Sequence, residues 1–191
     1  NAEDLGSRQW GLFSLAFAQL GQGQVAQASA TYQELAKVSP LGASQAASGL
    51  ADVAVYEGRY ADAARTLEQG AAADVTSKDA DRAADKFAAL AHVRVLQKQP
   101  AAAIAAADKA LANSRSAKTR FLAARSYAEA GAGAKARPLI ASLASELQAE
   151  PQAYAKIVEG EIALKDKDVR GAIKALTEAN GLLDTWMGHF D

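Results

Sequence analysis

Carboxylates, histidines and glycine-rich turns are the residues of this chain whose types and spacing could support chemistry. Glu146 and Glu150 lie four residues apart, with Glu159 and Glu161 nearby in sequence. Paired carboxylates can divide acid and base roles when they share a cleft. On alanine-rich amphipathic helices, however, such carboxylates are usually solvated. The chain has neither a cysteine nor a G-x-S-x-G elbow to supply a nucleophile, so we expect no enzyme activity.

The two histidines, His92 and His189, give a weak metal-binding signal. Asp85 precedes His92 by seven residues, which places both on one face of a helix. One histidine and one aspartate make a poor metal site, and no His-x-x-x-His pair exists. We therefore expect no metal or other cofactor, and we interpret His92 as a groove-lining or partly buried residue.

Two segments, 21–26 and 131–136, match the relaxed dinucleotide-binding pattern G-x-G-x-x-A. That chemistry needs a strand before the glycines, a helix after them and an acidic residue about 20 positions later. Here a helical pattern precedes both matches, and residues 41–46 contain no acid. We interpret both segments as turns between helices rather than as nucleotide sites.

Composition narrows the class of protein further. The 191 residues carry a formal net charge of −1, with both signs spread along the chain, which argues against a nucleic-acid partner. No apolar run approaches the roughly 18 residues that span a membrane, so we expect a cytoplasmic protein without a membrane partner. About a quarter of the residues are alanine, the best helix former, which predicts many close helix–helix contacts.

A turn recurs through the chain with spacings of 35, 40, 33 and 36 residues. Seven residues before each turn lies a small residue, five residues after it an alanine, and nine residues after it a residue that is usually larger. Spacings of three and four place these groups on one helical face, so each unit reads as helix, turn, helix and must stack on its neighbours. The turns are Gly23, Gly58, Lys98, Gly131 and Lys167; the preceding small residues are Ala16, Ala51, Ala91, Ala124 and Gly160; the following alanines are Ala28, Ala63, Ala103, Ala136 and Ala172; the last set is Tyr32, Leu67, Ala107, Ile140 and Leu176.

Three places depart from this regularity. The 40-residue spacing predicts a longer loop or a helix extension around 73–82, with Thr76 or Ser77 capping the next helix and Asp79 in its first turn. Pro138 lies one turn into its helix, which predicts a late helix start or a bend. Near the C-terminus, Asn180-Gly181 predicts a helix end, with a new helix starting near Asp184.

The units resemble the tetratricopeptide repeat (TPR) family, whose period is about 34 residues. The first unit, LFSLAFAQLGQGQVAQASATYQELAKVSP, matches best, and GLADVAVYEGRYADAARTLEQG follows closely. The resemblance implies an all-α, right-handed solenoid of about five helix pairs from a larger, bacterial protein. We expect repeats at 9–41, 42–76, 77–115, 116–151 and 152–183, a truncated sixth at 184–191, and an expression-tag scar at residues 1–2.

In proteins that this chain resembles, the first helix of each unit lines a concave groove that binds peptides or partner segments. Two interpretations of the matching positions stay open. They form a recognition stripe, or the charges pair with each other and the first aromatics pack on a preceding repeat. The matching positions are Trp10, Phe13 and Phe17; Gln45, Asp52 and Tyr56; Asp85 and His92; Lys118, Phe121 and Arg125; and Tyr154 and Glu161.

The resemblance also allows one specific activity to be rejected. A chaperone-tail clamp needs lysines and asparagines on successive first helices, and the matching positions here carry Phe13, Phe17, Ser48, Asp52, Lys118 and Leu122. The sequence therefore predicts a non-catalytic scaffold that binds a protein or peptide in its groove. A structural spacer or a dimerisation arm, self-associating through the open ends of the solenoid, stays the alternative.

Overall fold

The computed structural model describes the backbone of residues 2–187 and the side chains of residues 4–183. This part of the chain is built from α-helices joined by short turns, and it contains no strand. Within these residues, no helix combines the length and the hydropathy that a membrane span requires. The ten helices are α1 (Ala2–Gly21), α2 (Val25–Leu35), α3 (Pro40–Tyr56), α4 (Tyr60–Thr76), α5 (Ala80–Leu96), α6 (Pro100–Asn113), α7 (Ala117–Glu129), α8 (Gly133–Ala144), α9 (Ala149–Lys165) and α10 (Val169–Met187).

The helices form two layers. Each helix packs against the next one in sequence, and the odd-numbered helices also contact each other along the series from α1 to α9. The even-numbered helices of the described chain make no such contacts with one another. The odd-numbered helices are therefore the more closely spaced, inner layer. The predicted architecture of five stacked helix pairs is confirmed.

The turn inside each pair has the same backbone geometry at all five predicted positions. The φ angles are +73° at Gly23, +74° at Gly58, +59° at Lys98, +82° at Gly131 and +63° at Lys167. In each turn the next residue donates its N–H to the carbonyl five positions back, as from Arg59 to Ala54 at 2.7 Å. This hydrogen bond and the left-handed residue define the Schellman motif that ends a helix.

The small residues predicted at the helix contacts form the core. Ala16, Ala51, Ala91 and Ala124 are buried, and so is the alanine that follows each turn. Space is tight at Gly49 of α3, where a Cβ would lie 2.3 Å from the ring of Tyr32 of α2. The Tyr32 ring packs directly on the Gly49 backbone, so a larger residue at position 49 would displace the ring.

The long spacing after Gly58 arises from a helix extension. Helix α4 runs through 17 residues to Thr76, and Ser77 then ends it. The predicted capping role of Thr76 or Ser77 is wrong, because both residues belong to the end of α4. Asp79 caps α5 instead, its side chain accepting a hydrogen bond from the N–H of Arg82 at 3.1 Å.

Two other local predictions, a late start of the helix that contains Pro138 and a helix end at Asn180-Gly181, are also wrong, while the bend offered as the alternative at Pro138 stays a prediction. Helix α8 starts at Gly133, directly after its turn, so Pro138 lies inside the helix and does not delay its start. Helix α10 continues through Asn180-Gly181 to Met187 instead of ending there. Partial burial of Leu182 and Leu183 keeps this segment packed, which compensates for the low helix propensity of glycine. Residues 188–191 of the expected sixth unit lie outside the described chain.

Candidate partner-binding groove

A cavity of about 420 Å³ opens on the inner layer, between α3, α5 and α7. Positions three and four residues apart on each helix face it, because such positions share one helical face. Every side chain that lines it belongs to an odd-numbered helix. The lining residues are Ser48 and Asp52 of α3; Asp85, Ala88, Ala89 and His92 of α5; and Lys118, Leu122, Arg125, Ser126 and Glu129 of α7.

Most charges in and beside this cavity are paired across neighbouring helices. Lys118 lies 2.9 Å from Asp85, which joins α7 to α5. Arg125 lies 2.6 Å from Glu161 of α9, and this pairing raises the pKa of the Arg125 guanidinium. Of the two interpretations that the sequence left open, pairing between groove charges describes Arg125 and Glu161.

His92 and Glu129 face each other with a longer separation. The Nδ1 atom of His92 lies 4.0 Å from a carboxylate oxygen of Glu129. Both side chains are partly open to solvent. Because a neutral imidazole carries no charge, the contact is an ion pair only when His92 is protonated. His92 therefore lines the groove, one of the two positions considered for it from the sequence.

Asp52 differs from the other acids that line the cavity. No hydrogen bond or ion pair engages its carboxylate among the described residues. Its side chain is exposed to the groove, yet desolvation by the surrounding helices raises the pKa of the carboxyl. The pKa of Tyr32 is also raised, first by burial and then by the charge of Asp52.

Exposed aromatic rings extend from the α3 side of the cavity. Trp10 and Phe13 of α1 make an edge-on contact with ring centroids 6.0 Å apart, and Phe13 and Phe17 lie 6.1 Å apart. The exposed fractions are 60% for Trp10, 65% for Phe17 and 80% for Tyr56 of α3. Large apolar groups so exposed on an inner layer are candidates for partner contact.

A second aromatic group lies on the opposite side, between α7 and α9. The rings of Phe121 and Tyr154 stack 4.3 Å apart at an angle of 10°, and the guanidinium of Arg125 lies 5.4 Å above the Phe121 ring. The Tyr154 hydroxyl donates a 2.6 Å hydrogen bond to Glu150. That bond, with desolvation and the charge of Glu150, raises the pKa of Tyr154 to about 12.

The structure places the chain among proteins of known architecture. No family model matches the sequence, and no curated protein matches it. Among solved structures, BtubC (BKLC) from P. vanneervenii superposes with a TM-score of 0.73 at 16% identity, covering 98% of this chain and 84% of that one. A Podosopora anserina chain of nearly identical, kinesin-light-chain-type TPR-like repeats superposes with a TM-score of 0.67 at 17% identity, covering 94% and 96%. The chain has a TPR-like fold. The TPR protein YrrB, described as having an unusual peptide-binding site, superposes with a TM-score of 0.54 at 20% identity, covering 90% and 84%.

The TPR-like array places the sequence-predicted residues in three groups. Asp52, His92 and Arg125 meet at the central cavity. The aromatic residues of α1 and Tyr56 form the exposed end, and Phe121 and Tyr154 form the stack beside Glu161. Gln45 accepts a 3.1 Å hydrogen bond from Gln9, whose amide oxygen accepts another from Ser39, so Gln45 ties α3 to α1.

Sequence reasoning missed four residues of the TPR-like groove: Ala88 and Ala89 of α5, and Ser126 and Glu129 of α7. The signal for Glu129 was its position four residues after Arg125, which puts both on one face of α7. The carboxylates considered for acid–base chemistry each have a different partner among the described residues. Glu146 pairs with Arg120, and Glu150 accepts from Tyr154.

Proposed function

We propose that this TPR-like array is a non-catalytic binding module that holds a peptide or partner segment along its inner layer. The main support for this proposal is that the central cavity is lined by side chains of α3, α5 and α7 alone. A segment lying there would contact three consecutive units at once. Protein interaction is the role typical of this fold, and the peptide-binding site of YrrB supports the same use of the array.

The chemistry of the groove residues suggests which of them provide affinity and which provide specificity. Exposed rings such as Trp10 and Phe17 supply apolar area, which is the main source of affinity in most protein associations. Polar side chains of the cavity select the partner, because an unmatched buried polar group weakens binding. The main-chain scaffold needs no rearrangement, since the cavity is already open.

The experiment that tests this function is peptide selection with a blocked groove. A phage library of random dodecapeptides is panned on the wild-type chain, and the recovered peptides are then measured against two variants. His92→Trp fills the cavity from an exposed position on α5. Ala105→Trp adds the same side chain to an exposed position on α6, outside the groove helices. Both variants are first checked for wild-type helicity by circular dichroism.

The proposal expects peptides that lose binding to His92→Trp and keep it with Ala105→Trp. Peptides that bind all three proteins equally, or no selected peptide at all, would contradict it.

A structural or dimerising role is the second candidate, and one surface favours it. Val169 and Ile173 lie one turn apart on α10 with exposed fractions of 58% and 62%. Adjacent exposed apolar residues of this kind are common at protein interfaces. Light scattering after size exclusion distinguishes the two roles: a dimer that Ile173→Glu converts to a monomer supports self-association, and a wild-type monomer argues against it.

A further inference from the structure

The ion pairs of the groove leave an excess of negative charge. The two cations that line the cavity, Lys118 and Arg125, are each matched by an acid, Asp85 and Glu161 respectively. Two more acids, Asp52 and Glu129, line the same cavity. Glu129 faces the His92 imidazole and also interacts electrostatically with Arg125, whereas Asp52 has no partner among the described residues. The cavity lining thus holds three acids and two cations, a formal excess of one negative charge when His92 is neutral.

This pattern discriminates between acidic and basic ligands. A carboxylate or phosphate entering the cavity would have to take Lys118 from Asp85 or Arg125 from Glu161, leaving an acid unpaired. A cation would find Asp52 without a partner to displace. The Arg125–Glu161 pair is partly buried, so removing one member costs more than adding a partner to a free group, whereas the exposed Lys118–Asp85 pair contributes less.

The surroundings of Asp52 suit a cationic side chain. Tyr56 follows Asp52 by four residues on α3, so the two side chains share one helical face. The Tyr56 ring is 80% exposed and available to a ligand. A carboxylate beside an aromatic face can hold a guanidinium or ammonium group by a charge-assisted hydrogen bond together with a cation–π contact.

We propose that the groove recognises a basic segment, in which one lysine or arginine side chain enters the central cavity and pairs with Asp52. This inference rests on the proposed function and adds the chemistry of the partner to it. The stretch of the partner that crosses α1 carries an apolar residue against Trp10 and Phe17, because those rings lie exposed on the adjacent inner helix. The cavity of about 420 Å³ is within the size range of pockets that bury small ligands, so it has room for one long side chain.

The charge preference is tested with the selected peptides that bind the wild-type chain and lose binding to the His92→Trp variant. Each peptide is compared with a copy that carries citrulline for arginine, or norleucine for lysine, at its enriched basic position. Both copies are titrated by fluorescence polarisation against the wild-type chain, Asp52→Asn and the control Glu34→Gln. Glu34 is an exposed acid of α2, outside the groove helices, so its substitution removes the same charge without touching the site.

The expected result is enrichment of lysine or arginine at one peptide position and an affinity loss of roughly tenfold or more on removing that charge, as expected for a charge-assisted hydrogen bond. Asp52→Asn should cause a similar loss and abolish the difference between the charged and neutral peptides. Glu34→Gln should preserve both the wild-type affinity and the difference between the charged and neutral peptides.

Groove-specific peptides that are acidic, or that show no basic enrichment, would overturn the charge assignment and leave the binding function standing. A charged-to-neutral difference that persists in Asp52→Asn would overturn the role of Asp52. Failure to recover any groove-specific peptide would overturn both this inference and the proposed function.

Discussion

The ammonium of Lys86 lies 2.6 Å from a carboxylate oxygen of Asp74, and both side chains are almost completely buried. The same nitrogen donates to the hydroxyl of Ser44 at 2.7 Å. These residues belong to α5, α4 and α3, so the cluster joins the second unit to the third. A buried, fully paired set of this kind stabilises one relative position of the two units, because any shift leaves a charge unpaired.

Lys86→Met should lower the free energy of unfolding by about 3–5 kcal/mol, since it leaves the Asp74 carboxylate buried without a counter-ion. Urea denaturation followed by circular dichroism measures the loss. Lys118→Met is the control, because it removes a lysine from an exposed pair, which is worth less than about 1 kcal/mol. Equal losses in the two variants would show that burial of the Lys86 pair carries no special energetic weight.

Two glycines of one turn should respond oppositely to alanine. Gly131 has a φ of +82°, so Gly131→Ala forces a side chain into the left-handed region and should destabilise the chain by about 1 kcal/mol or more. Gly133 opens α8 and has open space around its Cβ position. Gly133→Ala should therefore stabilise the chain by about 0.5 kcal/mol. Thermal unfolding of both variants tests this, and a shift of the same sign in both would contradict the turn geometry.

Tyr154 should ionise near pH 12, above the ordinary tyrosine value of about 10. Because its pKa is raised in the folded chain, its contribution to stability is complete below pH 10. That contribution is lost as the pH rises through about 12. Absorbance at 295 nm follows the titration, and Tyr154→Phe should remove one group that titrates near pH 12. If the variant instead loses a group that titrates near pH 10, the hydrogen bond to Glu150 is not formed in solution.

The small positions of the repeat should tolerate no larger side chain. Ala91 is fully buried where α5 meets its neighbours, so Ala91→Leu should cost about 1–3 kcal/mol through overpacking. Ala105→Leu, at an exposed position of α6, should change the stability little. Urea midpoints compare the two variants. A midpoint for Ala91→Leu equal to that of the wild type would show that the repeat frame assigned to α5 is incorrect.

The repeating parts of the fold were predictable because they depend on local spacing. A left-handed turn residue, an alanine five positions later and a small residue seven positions earlier recur in each unit, and all five turns have positive φ. Capping was less predictable. Thr76, Ser77 and Asp79 are all competent caps by residue type, and the choice of Asp79 depends on how far α4 extends.

The groove was predictable in position and less so in its interactions. The sequence places Asp52, His92 and Arg125 at matching positions of three inner helices, and the cavity brings them together. Which charges pair depends on distances between helices more than 30 residues apart in sequence, as for Arg125 and Glu161. Those distances follow from the packing of small residues, so side-chain type alone does not determine them.

We propose that the partner lies on the inner layer of the array, across α3, α5 and α7. The most direct measurement is the change in backbone amide NMR shifts when a groove-selective peptide is added to the isotope-labelled wild-type chain. We expect the largest changes at groove-facing residues such as Ser48, Asp52 and His92, with small changes along α4, α6 and α8. Largest changes on those even-numbered helices, or confined to α10, would contradict it.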